Sequence, residues 1–550
     1  MSVAHAIEPA TAIHDPVGET DAARLIGFRK ADHPNASSIL FDNLDRDPHA
    51  TALDGPAGAS TYAGLCALAS RWGHAFLAEG LGRGERIAFF LDDTPTFPAA
   101  FMGAVRAGLV PVLLNTQTTP DLLQFFLADS GARVALCEAD FAARFDAATV
   151  TGTALEHLVV ANGDAPGDAP GDTSGDMPVR TVTADGFTGG HPDTLACADT
   201  GPDDMAFWMY SSGSTGRPKG IVHLQHDMAY THLSYARHVL DLKSGDRCFS
   251  VPKMFFAYGF GNSVTFPFAA GATAVLMPGR PEAARVLDTI GRYRPTHLFG
   301  LPTLYTALAR APEAERTDFS SLRSCLSAAE ILSEDVFTAW AALTGREAIE
   351  GLGSTEMLHI YLSNTAAEKR LGSAGKVVPG YEVRLLDPDG RPVAPGEEGV
   401  MEVRGHSSAP LYWNRPDKTN ETMRGAWLYT GDRFVEREGR YYFQGRADDL
   451  VKVSGQWVWP LEVERCLNEH EAVHECAVVA DRMADKRVRL RAVVKLRGGH
   501  DPDEAALRDH VKAALLPHKA PRAFEFVDAL PKTGTGKIDR QALVLPEGEQ

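Results

Sequence analysis

The 550-residue chain has little that would tie it to an oxidising compartment, a membrane or a nucleic acid. Its seven cysteines stand singly, at positions 66, 137, 197, 248, 325, 466 and 476, and none forms a C-x-x-C pair. That spacing argues against a disulfide framework and a structural zinc site, and it fits a reducing cytoplasm. No apolar run approaches spanning length, since even the stretch 87–114 is broken by Asp92, Asp93 and Arg106. The opening MSVAHAIEPATAIHDPVGET holds no basic segment followed by an apolar one, so neither export nor insertion is expected. Positive charge is also in deficit: 54 Lys and Arg face 72 Asp and Glu, a formal net charge of −18. This disfavours non-specific binding to nucleic acid or anionic membranes, and any phosphate site has to be built locally.

What is present is enough apolar sequence for more than one core, and a chain of this length is expected to form at least two domains. Strand-like runs at 86–90, 110–114 and 133–137 alternate with helix-like stretches at 62–79 and 98–107. The rhythm returns at 272–277, 282–293 and 297–299. Such alternation predicts βαβ units and a parallel sheet, hence an α/β fold over the first two thirds. Between the blocks, GDAPGDAPGDTSGD at 163–176 is too rich in glycine, proline and charge to pack and reads as a solvated linker. Further on, 381–386, 399–404 and 440–444 alternate apolar and polar residues between turns, as antiparallel strands do. From Leu461 the pattern is helix 462–468, strand 475–480, strand 490–496 and helix 504–515, a small α+β unit whose border falls in the charged GRADDLVKVSG at 445–455.

The segment YSSGSTGRPKG, 210–220, invites a phosphate-loop reading but does not match G-x-x-x-x-G-K-[ST]: counted from Gly213, Pro218 occupies the second glycine position. It also lies between two extended segments, where a Walker loop opens a helix. Gly213, Gly216 and Gly220 still allow backbone N–H groups to approach an anion, Ser211, Ser212, Ser214 and Thr215 add hydroxyls, and Lys219 and Arg217 add charge. The same composition serves an ordinary polar turn equally well.

Four further segments decide between these readings. GLGSTEM (351–357), YTGD (429–432), GRADDLVKVSG (445–455) and PKTGTGKIDR (531–540) follow the loop in an order and spacing that resembles the adenylate-forming superfamily of acyl-CoA synthetases, and the match runs from about Phe41 to the C-terminal region. The resemblance implies a large N-terminal adenylation domain, 1–447, of parallel α/β subdomains with a small β-barrel-like subdomain, and a mobile α+β domain, 448–550. It implies ATP, Mg2+ and coenzyme A as cofactors and a two-step reaction through acyl-AMP. In the family the loop holding Ser211, Ser212, Gly213, Ser214, Thr215, Gly216 and Lys219 grips the β and γ phosphates. Glu356 matches the magnesium-binding carboxylate and Thr355 its neighbour near the α-phosphate. Asp432 matches the acceptor for the ribose hydroxyls and Arg446 a nucleotide contact. Lys537 matches the catalytic lysine, and a lysine acyltransferase acting there would remove its charge and silence the first step. Asp448 matches the hinge, while Gly455 and Lys452 fall beside the pantetheine arm.

The strings FFAYG and TEMLHI look like those of benzoate and hydroxybenzoate CoA ligases. That likeness implies a small aromatic carboxylate as substrate, with Ala257, Tyr258, Gly300, Gly353, His359 and Ile360 forming its pocket. His359 reads equally as a hydrogen-bond partner for a ring substituent and as a satisfied core histidine, and Phe255, Phe256 and Phe260 as pocket walls or core. Medium-chain or alicyclic acids, a carrier-protein-loading enzyme, luciferase-type oxidation and, in a different class, a non-catalytic nucleotide-binding module are the rival readings. A homodimer is the assembly guessed for the family.

Overall fold

The computed structural model describes residues 17–18, 20–163, 179–211, 217–328, 332–447, 451–453, 456–483, 488–531, 538–540 and 542–545. Packing separates the chain into two units, one running to residue 383 and taking in 403–429, the other made of 384–402 and residues from 430 onward. Packing thus divides the chain differently from a cut at 447: 384–402 and 430–447 go with the C-terminal residues. The reason is local, since Arg465 on the helix Pro460–Asn468 donates to the carbonyl oxygen of Phe443, and Arg433 lies 3.6 Å over the ring of Trp459.

The first unit is built on two sheets. A seven-stranded sheet runs Arg180–Thr183, His157–Ala161, Val134–Glu138, Arg86–Phe90, Val110–Leu113, Met205–Ser211, Lys219–Leu224, parallel except for its last pair. A nine-stranded sheet has a parallel centre of Thr51–Asp54, Thr273–Val275, Arg247–Ser250, His297–Gly300, Ser324–Ser327 and Ala348–Gly353, with antiparallel strands at both edges. The α/β expectation from alternating periodicity therefore holds, and element limits fall within a few residues of those read from sequence. Strands such as Val134–Glu138 are buried along their whole length, as a parallel sheet covered on both faces requires.

Two helices, Tyr62–Ala78 and Thr96–Arg106, cross so closely that a Cβ on Gly103 would lie 2.1 Å from the carbonyl oxygen of Ala69. Thr61 starts the first of them by accepting the N–H of Gly64. The second unit carries a three-stranded sheet, Val473–Arg482, Val488–Leu496, Ala523–Phe526, with helices Pro460–Asn468 and Glu504–Ala514. This is the small α+β unit expected from sequence. No described helix is long and apolar enough to cross a membrane.

A buried ion cluster joins the turn after Arg86–Phe90 to the segment after Arg247–Ser250. Lys253 Nζ stands 2.8 Å from Asp92 Oδ1 and 3.7 Å from Asp93, and Asp93 Oδ1 accepts the N–H of Met254 at 3.0 Å. Burial pushes the Asp93 carboxyl up to about 7, against the pull of Lys253. An acid raised in the folded state binds its proton more tightly there than in the unfolded chain, so its contribution to stability is present at low pH and is lost as pH rises from about 4 to about 7. Asp93→Asn should therefore flatten the pH dependence of stability. The melting temperature of the variant relative to wild type is expected to rise between pH 5 and pH 8, by an amount equivalent to about 1–3 kcal/mol; a constant difference across that range would contradict the assignment.

Candidate active site

The glycine- and serine-rich loop spans an antiparallel hairpin, as its flanks predict: Tyr210 pairs with Gly220 and Ser211 with Lys219. Ser212, Gly213, Ser214, Thr215 and Gly216 lie outside the described residues. Beyond the loop, the segment 411–413 runs along the outer strand of the hairpin, with the Trp413 N–H donating to the Gly220 carbonyl at 2.7 Å and the Val222 N–H to that of Leu411 at 3.3 Å. A side chain at 220 would be 3.3 Å from both Trp413 Cβ and the Tyr210 ring. Trp413 stacks on Trp208 with centroids 4.3 Å apart and donates its indole N–H to the Asp129 carbonyl. Lys219 Nζ lies 4.2 Å from the centre of the Tyr412 ring.

Tyr412 also reaches the second motif, its hydroxyl donating to Glu356 Oε1 at 2.8 Å. Three successive carbonyl groups of the Glu356 turn are held from outside it. His223 Nε2 lies 2.9 Å from the Thr355 oxygen, the Ala409 N–H donates to Glu356 O at 2.7 Å, and Ser407 Oγ donates to Met357 O at 2.8 Å. Inside the turn the Leu358 N–H donates to Thr355 O at 3.0 Å, and Leu358 is left-handed, with φ 63°. A branched residue in that region is strained, so the turn keeps its shape because its neighbours over-determine it.

Glu356 Oε2 has no hydrogen bond or ion pair among the described residues, and the same residues hold no cluster of three or more His, Cys, Asp or Glu side chains that could cage a metal. A single carboxylate with a free oxygen suits magnesium that draws its other ligands from phosphate and water.

The segments expected to hold the acid come together behind the turn. His359 is 2 % exposed, between Tyr235, Tyr258 and Phe266, with ring centroids 5.1, 5.5 and 4.5 Å away. Among the described residues neither ring nitrogen, nor the Tyr258 hydroxyl, nor the Asn262 amide makes a well-formed hydrogen bond, although the Tyr258 main chain lies near the ring and the Asn262 side chain near the Tyr258 hydroxyl. Burial pushes the imidazole down to about 3, so it is neutral and able both to donate and to accept. Backbone surrounds His359 tightly: a Cβ on Gly261 would lie 2.3 Å from its ring, and one on Gly353 2.3 Å from its carbonyl oxygen. Ala257 and Ile360 are buried, and a Cβ on Gly300 would touch Leu304 and Tyr305 at 3.0 and 3.1 Å. Phe260, fully buried against Phe101 and Phe207, is core, and Phe255 belongs to the same cluster.

In the second unit Asp432 and Arg446 face each other on paired strands, with Arg446 Nη1 3.0 Å from Asp432 Oδ1. Thr430 Oγ1 receives the Asp432 N–H at 3.0 Å and donates to Met401 O, fixing the TGD turn. Gly431 has φ 72°, a backbone conformation that favours glycine, and a Cβ there would lie 2.8 Å from the mobile end of Arg446. Lys452 belongs to the strand Val451–Val453. Asp448, Gly455 and Lys537 lie outside the described residues.

Reading the sequence missed His223, Asp227, Ser407 and Tyr412. The H-x-x-x-D spacing of HLQHD after the loop was an available signal for the first two; nothing local marks the others.

The model of the AMP-binding enzyme family matches residues 40–413, and that of the AMP-binding enzyme C-terminal domain matches 462–537. The chain is 43% identical over 490 residues to the benzoate–CoA ligase of Thauera aromatica, covering 88% of this chain and 90% of that protein. It is 39% identical to the 4-hydroxybenzoate–CoA/benzoate–CoA ligase of Rhodopseudomonas palustris, with 89% of each covered. Among solved structures, an anthranilate CoA ligase in complex with anthranoyl-AMP superposes with a TM-score of 0.84 at 36% identity, over 94% of this chain and 98% of that one. A benzoate CoA ligase from Burkholderia xenovorans gives 0.82 at 36% identity, over 92% and 99%.

The close approach at Gly353 has a measurable consequence. Gly353→Ala forces the His359 backbone aside and should lower the melting temperature by an amount equivalent to about 1–3 kcal/mol. Gly291→Ala, in a helix where an added Cβ meets nothing within 4 Å, should leave it unchanged or raise it. Equal behaviour of the two variants would show that the backbone at 353 has room to spare.

Proposed function

The chain belongs to the AMP-binding enzyme family, and on that footing we propose that it is an ATP-dependent ligase joining a benzoate-type carboxylate to coenzyme A. The observation that carries this reading is the setting of Glu356: a carboxylate with one oxygen unpaired among the described residues, on a turn clamped at three carbonyls and linked through Tyr412 to the lysine of the phosphate loop.

In the first step an oxygen of the acid attacks the α-phosphorus of ATP, the bond from that phosphorus to the bridging oxygen of pyrophosphate breaks, and acyl-AMP forms. The physical difficulty is charge, because an anion approaches a polyanion while a second polyanion departs. Lys219 and the loop 211–216 answer the departing charge with donors and a cation. Glu356 would hold magnesium, which when bound draws negative charge from the phosphates. Thr355 stands at the α-phosphate end. Asp432, with Oδ1 against Arg446, accepts the ribose hydroxyls. Lys537, a point charge on a flexible stem, neutralises the meeting anions; its acylation would stop this step. In the second step the thiolate of coenzyme A attacks the acyl carbon and AMP leaves with the electron pair of the broken C–O bond. Rotation about Asp448 exchanges the lysine for the thiol, and Gly455 and Lys452 line the pantetheine arm. A homodimer in the cytoplasm belongs to the same reading.

Ala257, Tyr258, Gly300, Gly353, His359 and Ile360 form the acid pocket. The nitrogens of His359 and the hydroxyl of Tyr258, which lack a well-formed hydrogen bond among the described residues, favour an aromatic acid whose hydroxyl or amino group satisfies them, because an unmet buried polar group costs about 1–3 kcal/mol.

Two measurements test the reading. Lys537→Ala should slow acid-dependent pyrophosphate release about 100-fold or more while still converting supplied acyl-AMP to the thioester, and Asp448→Pro should do the reverse. Equal loss of both steps in either variant would rule out the alternation. Across benzoate, hydroxy- and aminobenzoates, cyclohexanecarboxylate and hexanoate, kcat/KM for CoA-dependent AMP release should be at least about 10-fold higher for the aromatic acids than for the last two; a preference for hexanoate would make the protein a medium-chain enzyme instead.

A further inference from the structure

We propose that His223, backed by Asp227, is a positioning residue for adenylate formation, acting through the carbonyl group of Thr355; the inference rests on the AMP-forming reading above. His223 lies on the strand Lys219–Leu224 that leaves the phosphate loop, and its side chain and that of Asp227 are fully buried. The imidazole stacks on Phe207, with centroids 5.2 Å apart and planes at 27°, which fixes the ring plane. Nδ1 lies 2.8 Å from Asp227 Oδ2 and Nε2 2.9 Å from the oxygen of Thr355, 132 residues away in sequence. Asp227 Oδ2 also accepts the Leu224 N–H at 3.1 Å.

Counting hydrogens makes this more than a contact. The Thr355 oxygen accepts only, so Nε2 carries a hydrogen. One further hydrogen lies between Nδ1 and the carboxyl group of Asp227. With a hydrogen on Nδ1 alone, two lone pairs would face each other at Thr355. Asp227 thus keeps Nε2 a donor, and the donor holds one end of the 355–356 peptide. The same oxygen accepts the Leu358 N–H that closes the strained turn, and the two following carbonyls are held by Ala409 and Ser407. Remove the His223 donor and the first of three clamps is gone, on the side nearest Thr355 and Glu356.

Asparagine and glutamine divide the two functions of the ring. An asparagine amide reproduces the Nδ1 position and so keeps the Asp227 contact, whereas a glutamine amide reproduces the Nε2 position and keeps the donor to Thr355. Asp227→Asn acts at a distance: the Leu224 N–H requires an oxygen at Oδ2, this oxygen then takes a hydrogen from Nδ1, and Nε2 is left bare.

The test compares His223→Asn, His223→Gln and Asp227→Asn. Acid-dependent pyrophosphate release is expected to fall about 10–100-fold in His223→Asn and Asp227→Asn, as for a site displaced by a fraction of an ångström, and to stay within about 5-fold of wild type in His223→Gln. Conversion of supplied acyl-AMP to the thioester should be near wild type in all three. Equal impairment of the Asn and Gln variants, or parallel loss of the thioester step, overturns the proposal. Should His223→Asn fail to fold, the comparison of His223→Gln with Asp227→Asn decides alone. Calorimetric binding of a non-hydrolysable ATP analogue with magnesium gives a readout that needs no organic acid: it should weaken in the Asn variants at both positions and persist in His223→Gln. Wild type that binds the analogue but releases no pyrophosphate with any aryl acid defeats the reading of function and leaves the binding comparison to judge His223.

Discussion

If Glu356 lies beside a polyphosphate, as proposed, it is repelled until a cation is bound, and a free turn would swing away. The structure meets that constraint through the backbone. Thr355, Glu356 and Met357 each have their carbonyl oxygen met by a donor from elsewhere in the unit, and Tyr412 takes one oxygen of the Glu356 side chain. Since these donors reach main-chain atoms, the identity of the turn residues is left free for chemistry, and the cost of a left-handed leucine at 358 is carried by the surrounding bonds. A buried hydrogen bond left unmade costs more than a formed one contributes, so each clamp resists opening.

The donors come from two directions. His223 belongs to the edge of the seven-stranded sheet, whereas Thr355 and Glu356 follow the strand Ala348–Gly353 of the nine-stranded sheet. Both sheets lie in the same unit, and the hydrogen bond from His223 joins the phosphate-loop hairpin to the carboxylate turn. The hairpin and the turn, which look like independent motifs, are therefore positioned by a shared set of bonds.

The parts legible in the sequence were those that a short window contains. Alternating strand and helix periodicities gave the parallel sheets, and the extended flanks of the loop at 210–220 gave its hairpin. What could not be read was pairing at a distance. Tyr412 is 56 residues from Glu356 and His223 is 132 from Thr355, and neither spacing has a local signature. His359 illustrates a third kind of limit. Its place in TEMLHI marked it as a pocket candidate, but its surroundings are set by Tyr235, Tyr258 and Phe266, rings from other segments that no local pattern announces. The division of the chain by packing was similarly hidden, because Arg433 on Trp459 and Arg465 on the Phe443 carbonyl are contacts across sequence.

The segment 405–413 shows why the clamp is rigid enough to matter. Its Ser407 and Ala409 bind the turn, and Tyr412 binds Glu356, but a strip of chain can hold another only if it is itself anchored. Trp413 supplies the anchor: its indole stacks on Trp208 of the central hairpin strand, its N–H bonds to Asp129, and the Arg86 guanidinium lies 5.7 and 5.9 Å from the two indole rings. Large aromatic surfaces packed in this way bury enough area to immobilise the backbone that carries them. The order of dependence thus runs from the aromatic packing at Trp208 to the strip, from the strip to the carbonyls of 356 and 357, and from those to the Glu356 carboxylate. A turn assembled in this sense tolerates change in its own side chains more readily than change in the scaffold that holds its backbone.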